Sequence, residues 1–439
     1  MTDPTTDSTT DSTPAAPATT DPATTDPATT DPALDSLHGL SVADALGAQF
    51  FVPGAGAHLA ARTAPPGPWP WTDDTEMACS VHAARTERGS IDTFDLTRAF
   101  ALRHDFDRGY GPAANRLLRL VREGGDAKRL ASEAFDGQGS YGNGAAMRVA
   151  PLGAAFAADP AAAVRPAADT AVITHTHPQA VDGAVAVAVA AAHAARREPL
   201  TPAAFLAAVR DLTPHGAVRD GIGEAITLLA EPDLRTAARV LGNGSRVSAA
   251  DTVPYALWCA ARRLDDYPGA VWDAISAGGD VDTTAAITGG IVAARTGTAG
   301  IPAGWLAARE PLPAWALPEP GSVATAATWQ GGVEPLLLPR PHPVPAVEWS
   351  AAQWERIRHG LRPREMEQRW VSHTAEGTLH LCRSWTGFAV WAVTVAPVRG
   401  GAVRPVSALV ECHPGRYGGP GDQALLGQVL GLAEQGYRY

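Results

Sequence analysis

Lysine is nearly missing from this chain. Of its 35 basic residues only Lys128 is a lysine, and against 46 acidic residues the formal charge is −11. A charge of that sign gives no general electrostatic grip on nucleic acid or an anionic membrane. Cysteine is also scarce: Cys79, Cys259, Cys382 and Cys412 stand far apart, with no CxxC pair and no histidine at zinc-finger spacing. Reduced core thiols are therefore expected, rather than disulfides or a zinc site. Long apolar runs are lacking as well. The longest, "GAVAVAVAAAHAA" at 183–195, is alanine-rich and shorter than the ~20 residues a spanning helix needs. The N-terminus has neither a basic n-region nor an apolar h-region. The expectation is a soluble, cytoplasmic monomer that does not associate with membranes.

At 439 residues the chain exceeds one ordinary hydrophobic core, so more than one domain is expected. Residues 1–33 form a low-complexity tail in which "TTDPA" occurs three times from Thr19 to Ala33. Recurring prolines block helix and sheet there, and little is available to bury, so disorder is expected. From 34 to 310 apolar residues recur at three- and four-residue spacing, as in "TEMACSVHAARTERG" and "TTAAITGGIVAARTG", which predicts an all-α domain. Residues 311–346 are rich in proline and tryptophan and read as an extended connector. Beyond 347 the pattern alternates: "TLHLCRSWTGFAVWAVTVAPV" reads as two strands, "PVSALVECHP" as another, and "GDQALLGQVLGLAEQ" as a helix. These predict a small α+β domain, where a basic face and nucleic-acid contact remain open alternatives to an ordinary solvated surface.

Two clusters of oxygen-bearing side chains break the alanine-rich pattern. "WPWTDDTEM" places Thr72, Asp73 and Asp74 at a helix start, and "GGDVDTTAAITGG" places Asp280, Asp282 and Thr283 at another. Capping explains one such cluster, but adjacent carboxylates repel, and two clusters are better explained by a shared cation. Six hard oxygens with no histidine or thiolate select magnesium or manganese over zinc. They suffice for two ions.

Three further stretches carry possible binding chemistry. In "FDGQGSYGNGAAMRVAPLG" the glycines at 137, 139 and 142 formally spell GxGxxG. No strand precedes them, so a dinucleotide-binding fold is not implied. Backbone amides near Gly139 and Gly142, a helix beginning near Gly144, and donors from Ser140 and Asn143 nevertheless suit a phosphate. "ITHTHPQAVDGA" supplies His175 as a candidate site residue and His177 as a structural one. "LGNG" at 241–244 supplies Asn243 ahead of a helix.

Taken in order, "SVADALG" (41–47), "TDDTEM", "GNGAAMRVAPLG", "ITHTHPQAVDGA", "LGNG" followed by "VPYALWCAAR", and "GGDVDTTAAITGG" closely resemble the motifs of the ADP-ribosylglycohydrolase family. The resemblance covers about residues 34–300. It implies an all-α fold with a cleft holding two magnesium or manganese ions on Thr72, Asp73, Asp74, Asp280, Asp282 and Thr283. Asp73 or Asp74 would be the general base or leaving-group acid, Asp74 being preferred of the two. It further implies that Gly139, Ser140, Tyr141, Gly142 and Asn143 meet the diphosphate and distal ribose, with His175 and Asn243 nearby and Phe135 near the adenine. The implied reaction is hydrolysis of the glycosidic bond between ADP-ribose and a modified macromolecule, arginine being the first acceptor to consider, or cleavage of a related ADP-ribose conjugate. A silent ADP-ribose binder and a phosphohydrolase acting on the diphosphate are the alternatives. This chain departs from the family pattern at Ala43, where a glycine is usual, and at Gln49–Phe51, where several members carry an acidic residue.

Overall fold

The computed structural model describes Met1 and residues 31–52, 54–317, 333–358, 360–361, 368–398, 402–417 and 423–435. Most of the tail expected to be disordered lies outside them, as do 318–332 of the connector. Helix α1 (Pro32–Ala48) begins two residues inside that expected tail, because Asp31 caps it by accepting from Ala33 N at 2.9 Å and proline suits its first position.

Helices then follow one another as α2 (Gly56–Ala61), α3 (Asp73–Arg88), α4 (Thr93–Arg103), α5 (Pro112–Arg122) and α6 (Ala127–Gly137). Next come α7 (Ala150–Ala154), α8 (Val164–Ala171), α9 (Pro178–Ala195), α10 (Pro202–Leu212), α11 (Ala217–Thr227) and α12 (Leu234–Leu241). The series closes with α13 (Ala249–Arg262), α14 (Tyr267–Ser276), α15 (Val281–Thr296) and α16 (Ala303–Ala308). Helices α9 and α15 are buried along most of their length, as helices apolar on all sides must be. No helix among the described residues is long and apolar enough to cross a membrane.

Small residues set how closely the central helices approach. A Cβ at Gly39 of α1 would lie 2.1 Å from the Ala293 Cβ of α15 and 2.5 Å from the Gly289 carbonyl oxygen. Reciprocally, a Cβ on Gly289 would meet the Ala43 Cβ at 2.5 Å. The alanine at 43 is thus accommodated by the glycine facing it. This crossing carries the C-terminal turn of α1, with Asp44, to the N-terminal turn of α15, with Asp282.

After the connector, β1 (Pro339–Pro341), α17 (Ala351–Arg358), β2 (Trp370–Ala375), β3 (Thr378–Arg383), β4 (Ala389–Pro397), β5 (Val403–Glu411) and α18 (Gln423–Gln435) complete the described elements. The strands form one antiparallel sheet in the order β1-β5-β4-β3-β2. Two of its strands differ from the sequence expectation. Strand β1 comes from the presumed connector, where Pro339 and Pro341 are tolerated because it is an edge strand. Strand β2 pairs with β3 across a two-residue turn in which Glu376 and Gly377 both have positive φ, +47° and +73°. Trp349, Trp370, Trp391 and Tyr417 pack with Leu426, Val429 and Leu430 in a hydrophobic cluster separate from the helical core.

A candidate metal centre beside a glycine-rich loop

The approach to α3 is clamped before the acidic residues are reached. Trp69 N donates to Ala308 O at 2.7 Å, and Glu310 N donates to Trp69 O at 2.8 Å. Arg108 stacks its guanidinium 3.5 Å from the Trp71 ring centre and grips Glu310 through two hydrogen bonds of 2.7 and 2.8 Å. Thr72 then caps α3, leaving Asp73 and Asp74 in its first turn. On α15, Asp280 stands at the N-cap position and Asp282 in the first turn. Both helices present their positive ends to the carboxylates.

The structure brings Asp74 and Thr283 together, with the Thr283 hydroxyl donating to Asp74 Oδ2 at 3.3 Å. Thr72 Oγ1 lies at the same distance from that oxygen. Oxygens of Asp44, Asp74 and Asp282 all lie within 4.8 Å of one another. Asp74 is only 2% exposed, yet its Oδ1 is buried without a hydrogen-bond partner. Burial is the main cause that raises the carboxyls of Asp74 and Asp282 well above the ordinary aspartate range, and neighbouring carboxylates add to it. Burial and the adjacent Asp44 push Asp73 up to about 7. A buried, unpartnered oxygen inside a group of mutually repelling carboxylates fits a hard divalent cation, which supplies the missing partner and the missing charge. The residues present therefore fit a metal.

Asp44 was not among the candidates read from the sequence. It is fully buried and accepts from Thr72 N at 2.9 Å, Thr72 Oγ1 at 2.7 Å, Thr75 N at 3.2 Å and the Thr75 hydroxyl. Four donors occupy most of its lone pairs, so Asp44 organises the first turn of α3 more than it offers a free ligand oxygen. Its signal was present in "ADALG", but no local pattern links position 44 to position 72.

The glycine-rich loop joins this cluster directly. The Asn143 amide donates to Asp280 Oδ2 at 2.7 Å and to Thr252 Oγ1 at 3.1 Å. Both its amide hydrogens are thus engaged inside the protein, and the expected donation to a ligand falls to other groups. The helix expected to begin near Gly144 is instead a single 3-10 turn, Asn143–Ala145. Pro151 has no N–H to continue an α-helix through this stretch, and α7 starts only at Ala150. At Gly139, φ is +75° and a Cβ would fall 2.0 Å from Thr176 Oγ1, so only glycine fits. The Ser140 hydroxyl accepts from Gly142 N at 3.2 Å. Phe135, at φ +53°, is 49% exposed and Tyr141 is 44% exposed, with ring centres 5.9 Å apart. Left-handed backbone at a bulky aromatic residue marks a constrained position.

His177 caps α9, its Nδ1 accepting from Gln179 N at 3.1 Å, the structural role expected of it. His175 lies under the loop, its Nε2 3.2 and 3.1 Å from where Cβ atoms on Gly142 and Gly144 would be. Burial and the nearby Arg148 lower its imidazole to about 3, so it is neutral at neutral pH. Asn243 is wholly internal in its bonding: Nδ2 donates to Ala277 O at 3.1 Å, Oδ1 accepts from Ser245, and its backbone carbonyl accepts from Asp280 N at 3.0 Å. It positions the Asp280 turn. A groove of about 960 Å³ lined by Arg235, Arg239 and Arg246 shares Asn243 and Ser248 with this region but contains none of the clustered carboxylates.

The match to known proteins covers the part that carries this site. The model of the ADP-ribosylglycohydrolase family matches residues 25–329. ADP-ribosylhydrolase ARH3 of Xenopus tropicalis is 30% identical over 270 residues, covering 54% of this chain and 76% of that protein. ADP-ribosyl-dinitrogen reductase glycohydrolase of Rhodospirillum rubrum is 28% identical over 292 residues, covering 62% and 88%. Among solved structures, a chain of an ADP-ribosylglycohydrolase-related protein complex is 29% identical, covering 64% of this chain and 92% of that one, with a TM-score of 0.48. With a family model spanning more than half of its length and every motif-bearing helix of the site, the chain belongs to the ADP-ribosylglycohydrolase family.

Proposed function

We propose that this protein hydrolyses the glycosidic bond joining ADP-ribose to a modified macromolecule, or a related ADP-ribose conjugate, and that it does so with divalent cations, two magnesium or manganese ions, bound at the α3 and α15 N-termini. The observation that carries the reading is the Asn143–Asp280 hydrogen bond of 2.7 Å. It fastens a loop suited to phosphate onto a carboxylate cluster suited to a cation, as a diphosphate-bearing sugar requires. Thr72, Asp73, Asp74, Asp280, Asp282 and Thr283 would hold the ions. When bound, such ions supply Lewis acidity toward sugar hydroxyls and water.

The chain's own residues divide the remaining work. Phe135 and Tyr141 offer exposed aromatic faces to the adenine, and the Ser140–Tyr141 turn offers backbone amides to the diphosphate, those of Gly139 and Gly142 being held by Ala134 O and the Ser140 hydroxyl. Asp73 and Asp74 are the groups able to move a proton at the anomeric centre. Asp74 is sealed at 2% exposure while Asp73 is only half-buried, so we place proton transfer to the leaving group on Asp73 and the holding of the cluster on Asp74. Arginine is the first acceptor to test, before serine, a nucleic-acid base or a free metabolite.

Mass-resolved product analysis tests this on arginine-, serine- and nucleic-acid-linked ADP-ribose, with magnesium and with chelator. Magnesium-dependent release of intact ADP-ribose from one class is the expected result. Release of AMP would instead make the enzyme a phosphohydrolase, and binding of ADP-ribose without release from any linkage would make it a reader.

A further inference from the structure

Arg148 is 1% exposed in the helical core, beneath the loop and the cluster. Its Nη2 donates to Thr170 O and to Thr174 Oγ1, both at 3.0 Å, and its guanidinium lies 4.6 Å from the Phe100 ring centre. Thr174, also buried, has its Oγ1 2.7 Å from His175 Nδ1. An arginine only donates, so Thr174 Oγ1 must accept from Arg148. The threonine hydroxyl proton then has one place to go. If His175 Nδ1 carried a proton and donated it to Oγ1, the hydroxyl proton would point at nothing, since Arg148 and His175 are the partners of that oxygen among the described residues. A buried unsatisfied donor is costly. The arrangement is satisfied only when the hydroxyl donates to a bare Nδ1.

We propose that Arg148 and Thr174 fix His175 as the Nε2–H tautomer, making it a hydrogen-bond donor to the diphosphate or distal ribose at the Gly142–Gly144 turn. His175 Nε2 has no hydrogen-bond partner among the described residues and is not among the atoms sealed from solvent. It adjoins the two glycines whose missing side chains leave room for the ring. Burial keeps the imidazole uncharged, so the donor persists at neutral pH without adding a proton that the site would have to release. Arg148 and Thr174 are positioning residues, acting through His175. The tautomer follows from the protein's own hydrogen bonds, and the identity of the acceptor rests on the function proposed above.

The test is ring-nitrogen NMR on the full chain labelled with ¹⁵N-histidine, His175 being assigned by its loss in His175→Gln. In the wild type, His175 should show a protonated Nε2 and an unprotonated Nδ1 across neutral pH. Thr174→Val removes the donor while keeping the side-chain shape. It should disturb that pattern and weaken ADP-ribose binding about tenfold by calorimetry in magnesium, the loss of one hydrogen bond of ~1.4 kcal/mol. Thr174→Ser should restore both. A protonated Nδ1 in the wild type overturns the proposal, as does a Thr174→Val protein with unchanged ring nitrogens and unchanged affinity. If the wild type shows the Nε2–H tautomer, lost in Thr174→Val, but binds no ADP-ribose, the tautomer assignment is supported and the proposed function fails.

Discussion

Removing the cations should turn the acidic cluster into a liability whose size depends on pH, and Asp73→Asn should relieve it. The folded protein raises the Asp73 carboxyl from 3.8 to about 7. Between those values the unfolded chain has released a proton that the folded chain still holds, so stability falls as pH rises and the penalty is complete above about pH 7. Three units at ~1.4 kcal/mol each give about 4 kcal/mol as an upper figure for the chelated protein. Buried histidines act in the opposite sense: burial lowers His82 and His373 to about 4 and His175 to about 3. Their contribution grows as pH rises toward 6.5 and is then constant, so the wild-type curve alone mixes the two effects. The difference between wild type and Asp73→Asn cancels the histidines. In chelator, the asparagine variant should melt higher at pH 7.5, by up to about 10 °C for a domain of this size, and the gap should shrink toward pH 4. Added magnesium should close it by stabilising the wild type more than the variant. Scanning fluorimetry at several pH values measures this directly. A gap that ignores pH, or a wild type that outlasts the variant in chelator at pH 7.5, refutes the reasoning.

Asp282→Asn should lower turnover by at least about a hundredfold while the far-ultraviolet spectrum stays native, because it removes a charge from the cluster without changing its shape; near-wild-type turnover would exclude Asp282 from the metal shell. Asp44→Ala orphans the Thr72 and Thr75 amides and should cost about 2–4 kcal/mol. Because Asp44 organises α3, the melting temperature should fall equally in chelator and in magnesium, whereas loss of a metal ligand would chiefly remove the magnesium increment. Gly139→Ala must move Thr176 or the loop, since its Cβ would sit 2.0 Å from Thr176 Oγ1. Affinity for ADP-ribose should fall at least about tenfold, with a stability cost of ~1–3 kcal/mol, both read by calorimetry.

Much of the helical architecture was legible because periodicity and capping are local. Helices α3 and α15 fall where three- and four-residue spacing places them. What spacing did not show was interruption. Pro151, at the start of α7, cannot continue an α-helix begun near Gly144, and Phe135 and Asp136 turn left-handed inside a stretch that composition makes helical. Strand β1 was illegible for a related reason: its prolines argue against a strand, and only pairing with β5 through the edge that needs no proline N–H makes it one.

For the site, residue type was more legible than residue role. Six oxygen-bearing residues have the chemistry to suit a hard cation, and the structure places them at the N-termini of α3 and α15. Asn143 and Asn243 looked like ligand donors because loops beside glycines expose amides, yet both spend their amide hydrogens holding Asp280 and its turn. Asp44 shows the converse. It lies near the C-terminal end of α1, surrounded in sequence by alanine, leucine and glycine, where a single carboxylate has no local partner to give it meaning. Its role arises because Gly39 and Gly289 let α1 and α15 come within backbone contact. That approach delivers one carboxylate to four donors on the first turn of α3, 28 to 31 residues away. Residues that bind a ligand can be recognised by their chemistry, but residues that aim the binders are defined by helix crossings. The aiming residues of this site, Asp44, Asn143, Asn243 and the Arg148–Thr174 pair, each act across a separation no local pattern encodes or through a neighbour that only the fold supplies.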